Sequence, residues 1–368
     1  MMRGYVFTIR LVAWCMVLLP LAGYPASGDG RDKPARMFSE QGELNMELNA
    51  DWNTILRSRN YDKPYPGRLM MQIPGNEPLS LDVELVTRGH SRKDPKLCSF
   101  PPFKIHFDAE QLKGTTLRGI KSLKMVTHCS SSKRFSSYYI KEFLIYRAYN
   151  EFTPISFRVR SVRTTYTDSV GKRKPDTRFA FFIEDVDDMA ERNGLEKLEP
   201  GKFRPSMLDA RTSSLFTVFQ HMIGNLDWES TVGVNPSECC HNSKIIGIPD
   251  SDSPYYPVPY DFDYSGLVNA HYALPPEKLK VSKVTQRLYR GYCFHNDFTE
   301  TTLETFRSKK KAILALFSDD LRLDDRHKRS ALNYLERFFR LIDKPEVQEK
   351  EFNGKCRGSS RTITAEPD

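Results

Sequence analysis

The acidic and amide side chains of the second half fall in an order that suits hard-cation chemistry. Ile223-Gly-Asn-Leu-Asp-Trp228 closes an amphipathic run and leaves Asp227 in a loop. Cys240-His-Asn-Ser-Lys-Ile-Ile246 sets Asn242 at the start of a short apolar strand. Val258-Pro-Tyr-Asp-Phe-Asp-Tyr-Ser-Gly266 presents Asp261 and Asp263 at a strand end among aromatic rings. Carboxylate and amide oxygens of this kind are what Mg2+ or Mn2+ prefers. The plainer reading is that loop aspartates are common and that Asp261-Phe-Asp263 is a turn.

Phosphoryl transfer needs a cation on the phosphates, metal ligands that bridge them, and an acidic group to position the acceptor hydroxyl. The order here, loop Asp, Asn before a strand, Asp at the next strand's end, matches that requirement. Asp227 is then the catalytic candidate, and Asn242, Asp261 and Asp263 are the metal ligands. Asn242 follows Asp227 at a wider interval than the roughly four residues of a protein-kinase loop. That spacing demands an insertion holding Cys239, and Asn235 is the alternative ligand. Lys124 lies in the strand Leu123-Lys-Met-Val126, just after Gly114-Thr-Thr-Leu-Arg-Gly119, where a phosphate-contacting lysine would sit. Glu142, on the helix that follows, could pair with it. Taken singly, both also read as solvated surface charges.

These residues need a scaffold. Leu81-Asp-Val-Glu-Leu-Val86, Phe103-Lys-Ile-His-Phe107, Leu123–Val126 and Phe157–Tyr166 alternate as strands do. Between the last two, Ile140, Phe143, Leu144, Arg147 and Ala148 share one helical face. Helical periodicity dominates after Leu208, in the run to Ile223 and again over Leu303–Phe317 and Ala331–Ile342. This predicts an α+β, bilobal protein-kinase-like fold with a β-rich N-lobe holding one helix and a mainly helical C-lobe. The boundaries are 1–27 for a signal peptide, 28–60 for a polar linker, 61–190 for the β-rich lobe, 191–345 for the helical lobe with the metal and catalytic loops, and 346–368 for a disordered tail.

Over roughly residues 80 to 270 the motifs resemble the spore-coat CotH kinases, a secreted branch of the kinase-like fold. Arg88-Gly89-His-Ser-Arg92 and the strand after it look like that family's Arg-Gly motif. The resemblance implies that Lys124 contacts nucleotide, that Glu142 is the helix glutamate, and that Phe181-Phe-Ile-Glu184-Asp185 leads into the hinge where adenine docks. It makes Asp227 the catalytic aspartate and Asp261 the metal aspartate; Tyr-Asp-Phe-Asp-Tyr is also similar to a stretch of aminoglycoside phosphotransferases. The implied activity is transfer of the γ-phosphate of ATP, with Mg2+ or Mn2+, to a protein hydroxyl, this chain's own included. The alternative is a non-catalytic binding or structural protein of the envelope. A metal-dependent phosphodiesterase would need more histidines than His241 near the aspartates, and His128, His221 and His241 read as core or loop residues.

The net charge of +8 is spread over the chain without a basic stripe, so no nucleic-acid partner is expected. Arg3 and Arg10, the apolar run Leu11–Ala22 and the small residues after it form a secretory signal peptide. The expected location is secreted or periplasmic. No later stretch is apolar enough to span a bilayer, so no stable membrane insertion is expected after cleavage. Six cysteines follow the leader, which suits disulfides, with the adjacent Cys239 and Cys240 bonded to different partners. Expressed with a working secretion pathway, the product should lack at least residues 1 to 22 by intact mass; full-length protein in the cytosol would refute the leader.

Overall fold

The computed structural model describes residues 36–59, 63–89, 92, 94–233 and 239–358. The leader and Asn235 lie outside the described residues. Alternation builds the first half. The strands are β1 (Leu44–Ala50), β2 (Tyr65–Gln72), β3 (Leu79–Thr87), β4 (Phe103–Phe107), β5 (Ser122–Val126), β6 (Val159–Asp168) and β7 (Asp176–Ile183). They close into a barrel in the order β1-β2-β3-β4-β5-β7-β6. Every pairing is antiparallel except the seam, where β1 runs parallel to β6 with Leu44 opposite Val162.

The closed barrel overturns the expected bilobal kinase-like fold, and the described residues belong to one compact unit. The expectation failed at Leu-Asn-Met-Glu-Leu-Asn-Ala50, whose Asn and Glu residues made 28–60 read as a polar linker. Leu44, Met46, Leu48 and Ala50 all point inward there, which is a strand with one wet face. α1 (Trp52–Ser58) follows at once, capped by Asp51, whose Oδ1 accepts from the Thr54 N–H at 3.0 Å.

β7 is buried on both faces, which explains its unbroken Phe-Ala-Phe-Phe-Ile. Ala180 and Phe182 face the barrel interior with Leu85, Phe103 and Met125. Phe181 and Ile183 face α2 (Lys133–Asn150). That helix is enclosed nearly all round: Tyr139 and Phe143 pack on Phe179, Tyr146 on Phe181, and Tyr149 on Phe219.

The remaining elements are α3 (Val186–Glu191), β8 (Glu196–Leu198), α4 (Ala210–Ile223), β9 (Ser243–Gly247), β10 (Tyr256–Pro259), α5 (Thr299–Ser318), α6 (Asp325–Ile342) and α7 (Pro345–Glu351). β8, β9 and β10 form a second sheet in the order β10-β9-β8. The tail assigned to 346–368 is structured up to residue 358: α7 leads to Phe352, which is fully buried, and Cys356 is bonded to Cys293. Cys98 is bonded to Cys129, and Cys239 pairs with Cys240 instead of with separate partners. Among the described residues no helix is long and apolar enough to cross a membrane.

His221 of α4 lies among the rings of Tyr289, Phe338 and Phe352, and is only 3 % exposed. Burial, with help from Arg287, pushes its imidazole down to about 3, so the folded protein keeps it neutral. An unfolded chain, with this imidazole near 6.5, takes up a proton that the folded one refuses. Stability from this source is complete above pH 6.5 and is lost as the pH falls toward 3, by about 1.4 kcal/mol per unit. The urea midpoint of His221→Phe should therefore fall less than that of the wild type between pH 7 and pH 5. Equal falls would show that His221 is not held neutral.

Candidate active site

The loop that carries Asp227 is set by the end of α4. Gly224 adopts a left-handed conformation, φ 63°, and its N–H donates to His221 O at 3.1 Å. Any Cβ there would collide with the Tyr334 hydroxyl. Asn225, buried, accepts the Asp227 N–H on its Oδ1 at 3.1 Å, and Trp228 Nε1 donates to Asn225 O at 3.0 Å. Arg290 donates to Leu226 O and Trp228 O at 2.9 and 2.8 Å, and its guanidinium lies 4.7 Å from the Trp228 ring centre. Arg290 also pairs with Glu229, which Arg357 engages from the other side at 2.9 Å. Trp228 thus packs the loop.

The β9–β10 hairpin brings the next two segments together. Its register sets Ser243 opposite Pro259, so Asn242, one residue earlier, meets Tyr260 and Asp261, just past the other strand. The Tyr260 N–H donates to Asn242 O at 3.2 Å. Asn242 and Asp261 both have positive φ, 46° and 59°, a region that Asn and Asp tolerate better than other side chains. The Asp261 N–H donates to the Tyr146 hydroxyl at 3.0 Å, which ties the turn to α2. Asn242 Nδ2 donates to Asp227 O at 2.7 Å and to Asp227 Oδ2 at 3.0 Å. His241 Nε2 lies 2.8 Å from Asp227 Oδ1, and a paired bridge between His241 and Glu229 holds that backbone. The hydrogen bond to Asp227 raises the His241 pKa above its ordinary value.

α2 supplies the third wall. Glu142 is 2 % exposed, and Arg92 Nη2 donates to its Oε2 at 2.7 Å. The same guanidinium donates through Nε to Asp263 Oδ2 at 3.1 Å, which the Tyr272 hydroxyl also reaches at 3.0 Å. Lys141, buried beside Glu142, donates to Leu267 O and Val268 O at 3.1 and 2.5 Å, and burial lowers its pKa to about 8. Burial, then Asp263 and Glu142, holds the Asp261 carboxyl well above the ordinary carboxylate range. Glu142 is raised by burial against the pull of Arg92. The result is a cleft of about 610 Å³ in which Glu142, Asp227, Asp261 and Asp263 meet Arg88, Arg92 and His241.

Asp227, Asn242, Asp261, Asp263 and Glu142 all line this one cleft. Lys124 and Glu184 do not. The Lys124 ammonium is 3.1 Å from Asp185, and Glu142 is paired with Arg92 instead of with Lys124. Glu184 is buried against Arg192 at 2.9 and 3.0 Å and accepts the Arg158 N–H at 2.9 Å, so its carboxylate joins α3 to the start of β6. His241, read as a core or loop histidine, belongs to the cleft, as do Arg88, Arg92, Tyr146 and Tyr260. Of these only Arg88 and Arg92 carried a signal, in Arg88-Gly-His-Ser-Arg92.

Among the described residues no three His, Cys, Asp or Glu side chains converge to hold a metal ion. Mg2+ needs fewer, since it is commonly held by one or two carboxylates with phosphate and water completing its shell. Asp261, Asp263 and Asn242 share the cleft, and Asp263 Oδ2 is already engaged by Arg92 and Tyr272. No protein-family profile matches this sequence, and no curated protein matches it.

Removing one partner from a buried charge network leaves the others uncompensated. Arg92→Met should cost about 3–5 kcal/mol of stability at neutral pH by urea unfolding. The penalty should shrink at pH 5, where Glu142 and Asp261 accept protons more readily. A loss independent of pH would mean that Arg92 acts through packing alone.

Proposed function

We propose that this cleft is a phosphotransferase site, which moves the γ-phosphate of ATP to a protein hydroxyl with Mg2+ or Mn2+. The observation that carries the reading is the state of Asp227. One carboxylate oxygen is held by His241 and the other by Asn242, in the same cleft as Asp261 and Asp263. A divalent cation would be held by Asp261, Asp263 and the Asn242 amide oxygen, and when bound it neutralises phosphate charge. Asp227 orients the acceptor hydroxyl and takes its proton as that oxygen bonds the γ-phosphorus, while the bond from the γ-phosphorus to the β-phosphate oxygen breaks and ADP leaves. His241 and Asn242 keep its carboxylate from rotating. The proposed reaction is that of the CotH kinases, carried on a different architecture, a closed barrel. The proposed location is secreted or periplasmic, and the proposed partners are a nucleotide and a protein acceptor, with no nucleic acid.

Arg92 favours a second reading. It neutralises Glu142 and Asp263 without any metal, at 2.7 and 2.9 Å, as a non-catalytic binding or structural protein of the envelope would require. Transfer from γ-labelled ATP separates the two. Asp227→Asn should bind ATP nearly as well as the wild type yet transfer phosphate on the order of 10²–10⁴ times more slowly. Asp261→Asn should lose the metal dependence of ATP stabilisation, which is roughly 2.7 kcal/mol at about 100 times Kd. Equal labelling by wild type and Asp227→Asn removes Asp227 from the chemistry. Absence of ATP stabilisation with either metal favours the envelope protein.

A further inference from the structure

A phosphate entering the cleft needs a positive partner, and most of the nearby cations are already engaged. Arg92 is held by Glu142 and Asp263. His241 is held by Asp227. Lys124 is paired with Asp185 and does not line the cleft. Arg88 differs from all three. It is the residue after β3, and its backbone N–H donates to Pro102 O at 2.9 Å, which fixes it at the barrel's edge. Nη2 donates to the Tyr260 hydroxyl at 2.9 Å, which orients the guanidinium plane. Nη1 is closed off from solvent and has no hydrogen-bond partner, and Arg88 forms no ion pair among the described residues. Buried donors left without an acceptor are rare in folded proteins because they are costly.

We infer that Arg88 is the phosphate-binding group of this cleft, the part that strand position suggested for Lys124. A guanidinium presents parallel N–H groups to two oxygens of one phosphate, which an ammonium cannot do. Tyr260 holds one side of that fork, and the unpartnered Nη1 is left for the ligand. The ligand class is a polyphosphate, nucleotide-borne or inorganic. For that class the inference rests on the phosphotransferase reading, but it does not require turnover.

The test is calorimetric titration of the full chain with inorganic tripolyphosphate in Mg2+ buffer, without any acceptor. Arg88→Met should weaken binding about tenfold or more, the loss expected for a charge-assisted hydrogen bond. Arg88→Lys keeps the charge and loses the fork, so it should fall between Arg88→Met and wild type, and it decides the matter if Arg88→Met does not fold. Lys124→Met should stay within about twofold of wild type. Wild-type affinity in both Arg88 variants, or a loss that follows Lys124, overturns the inference. Failure of the wild type to bind tripolyphosphate overturns it together with the nucleotide reading. Binding that depends on Arg88 in a chain that transfers no phosphate upholds it and removes only the phosphotransferase.

Discussion

Glu142 and Asp263 are buried, Asp261 partly so, and they lie close enough to repel one another. Carboxylates taken out of water need compensation from within the protein. Arg92 provides it from the loop beyond β3, bridging the middle of α2 to the segment after β10. Much else follows from keeping those two together. Lys141, one residue from Glu142, secures the carbonyls of Leu267 and Val268, and Tyr146, one turn on, secures the turn at Asp261. α2 is therefore a spine that holds barrel and helical half through both polar contacts and rings.

The cleft lies where the barrel's outer face ends and the hairpin begins. Val126 and Ile183 contribute from the barrel, and Asp227, His241 and Asn242 come from the other side. Because β7 is buried on both faces, this wall cannot move outward without uncovering Phe181 or Phe182. The Asp227 side is no freer, since Arg290 and Arg357 clamp Trp228 and Glu229 behind it. Rigid walls around a carboxylate cluster favour a ligand that arrives with positive charge or with a cation.

What was legible in the sequence was local. The stop at Gly224 is a short-range signal, and so are the strands around Ile245 and Val258; together they led to Asp227, Asn242, Asp261 and Asp263. Partners across long separations were not legible. A lysine on an alternating strand says nothing of which acid it meets, and Lys124 meets Asp185, while Glu142 takes an arginine from a loop. His241 gave no signal because its role comes from a bridge to Glu229 that folds it back onto Asp227. The barrel was missed for the same reason. Its closure depends on β1, a strand whose wet face is as polar as a linker.

The parallel seam of that barrel bears on the order in which the chain assembles. Asn49 pairs with Thr167, 118 positions further along, and its side chain donates to the Thr167 hydroxyl across the seam at 2.9 Å. β1 can find β2 early, over a short connection, but its second edge stays open until β6 has been made. Closing a loop of that length costs entropy before the contacts it brings can compensate, so the seam should form late. Until then Met46, Leu48 and a row of unpaired backbone groups are available to any passing strand. A second copy of the chain could supply its own β6, so crowded half-made molecules risk exchanging strands at this edge.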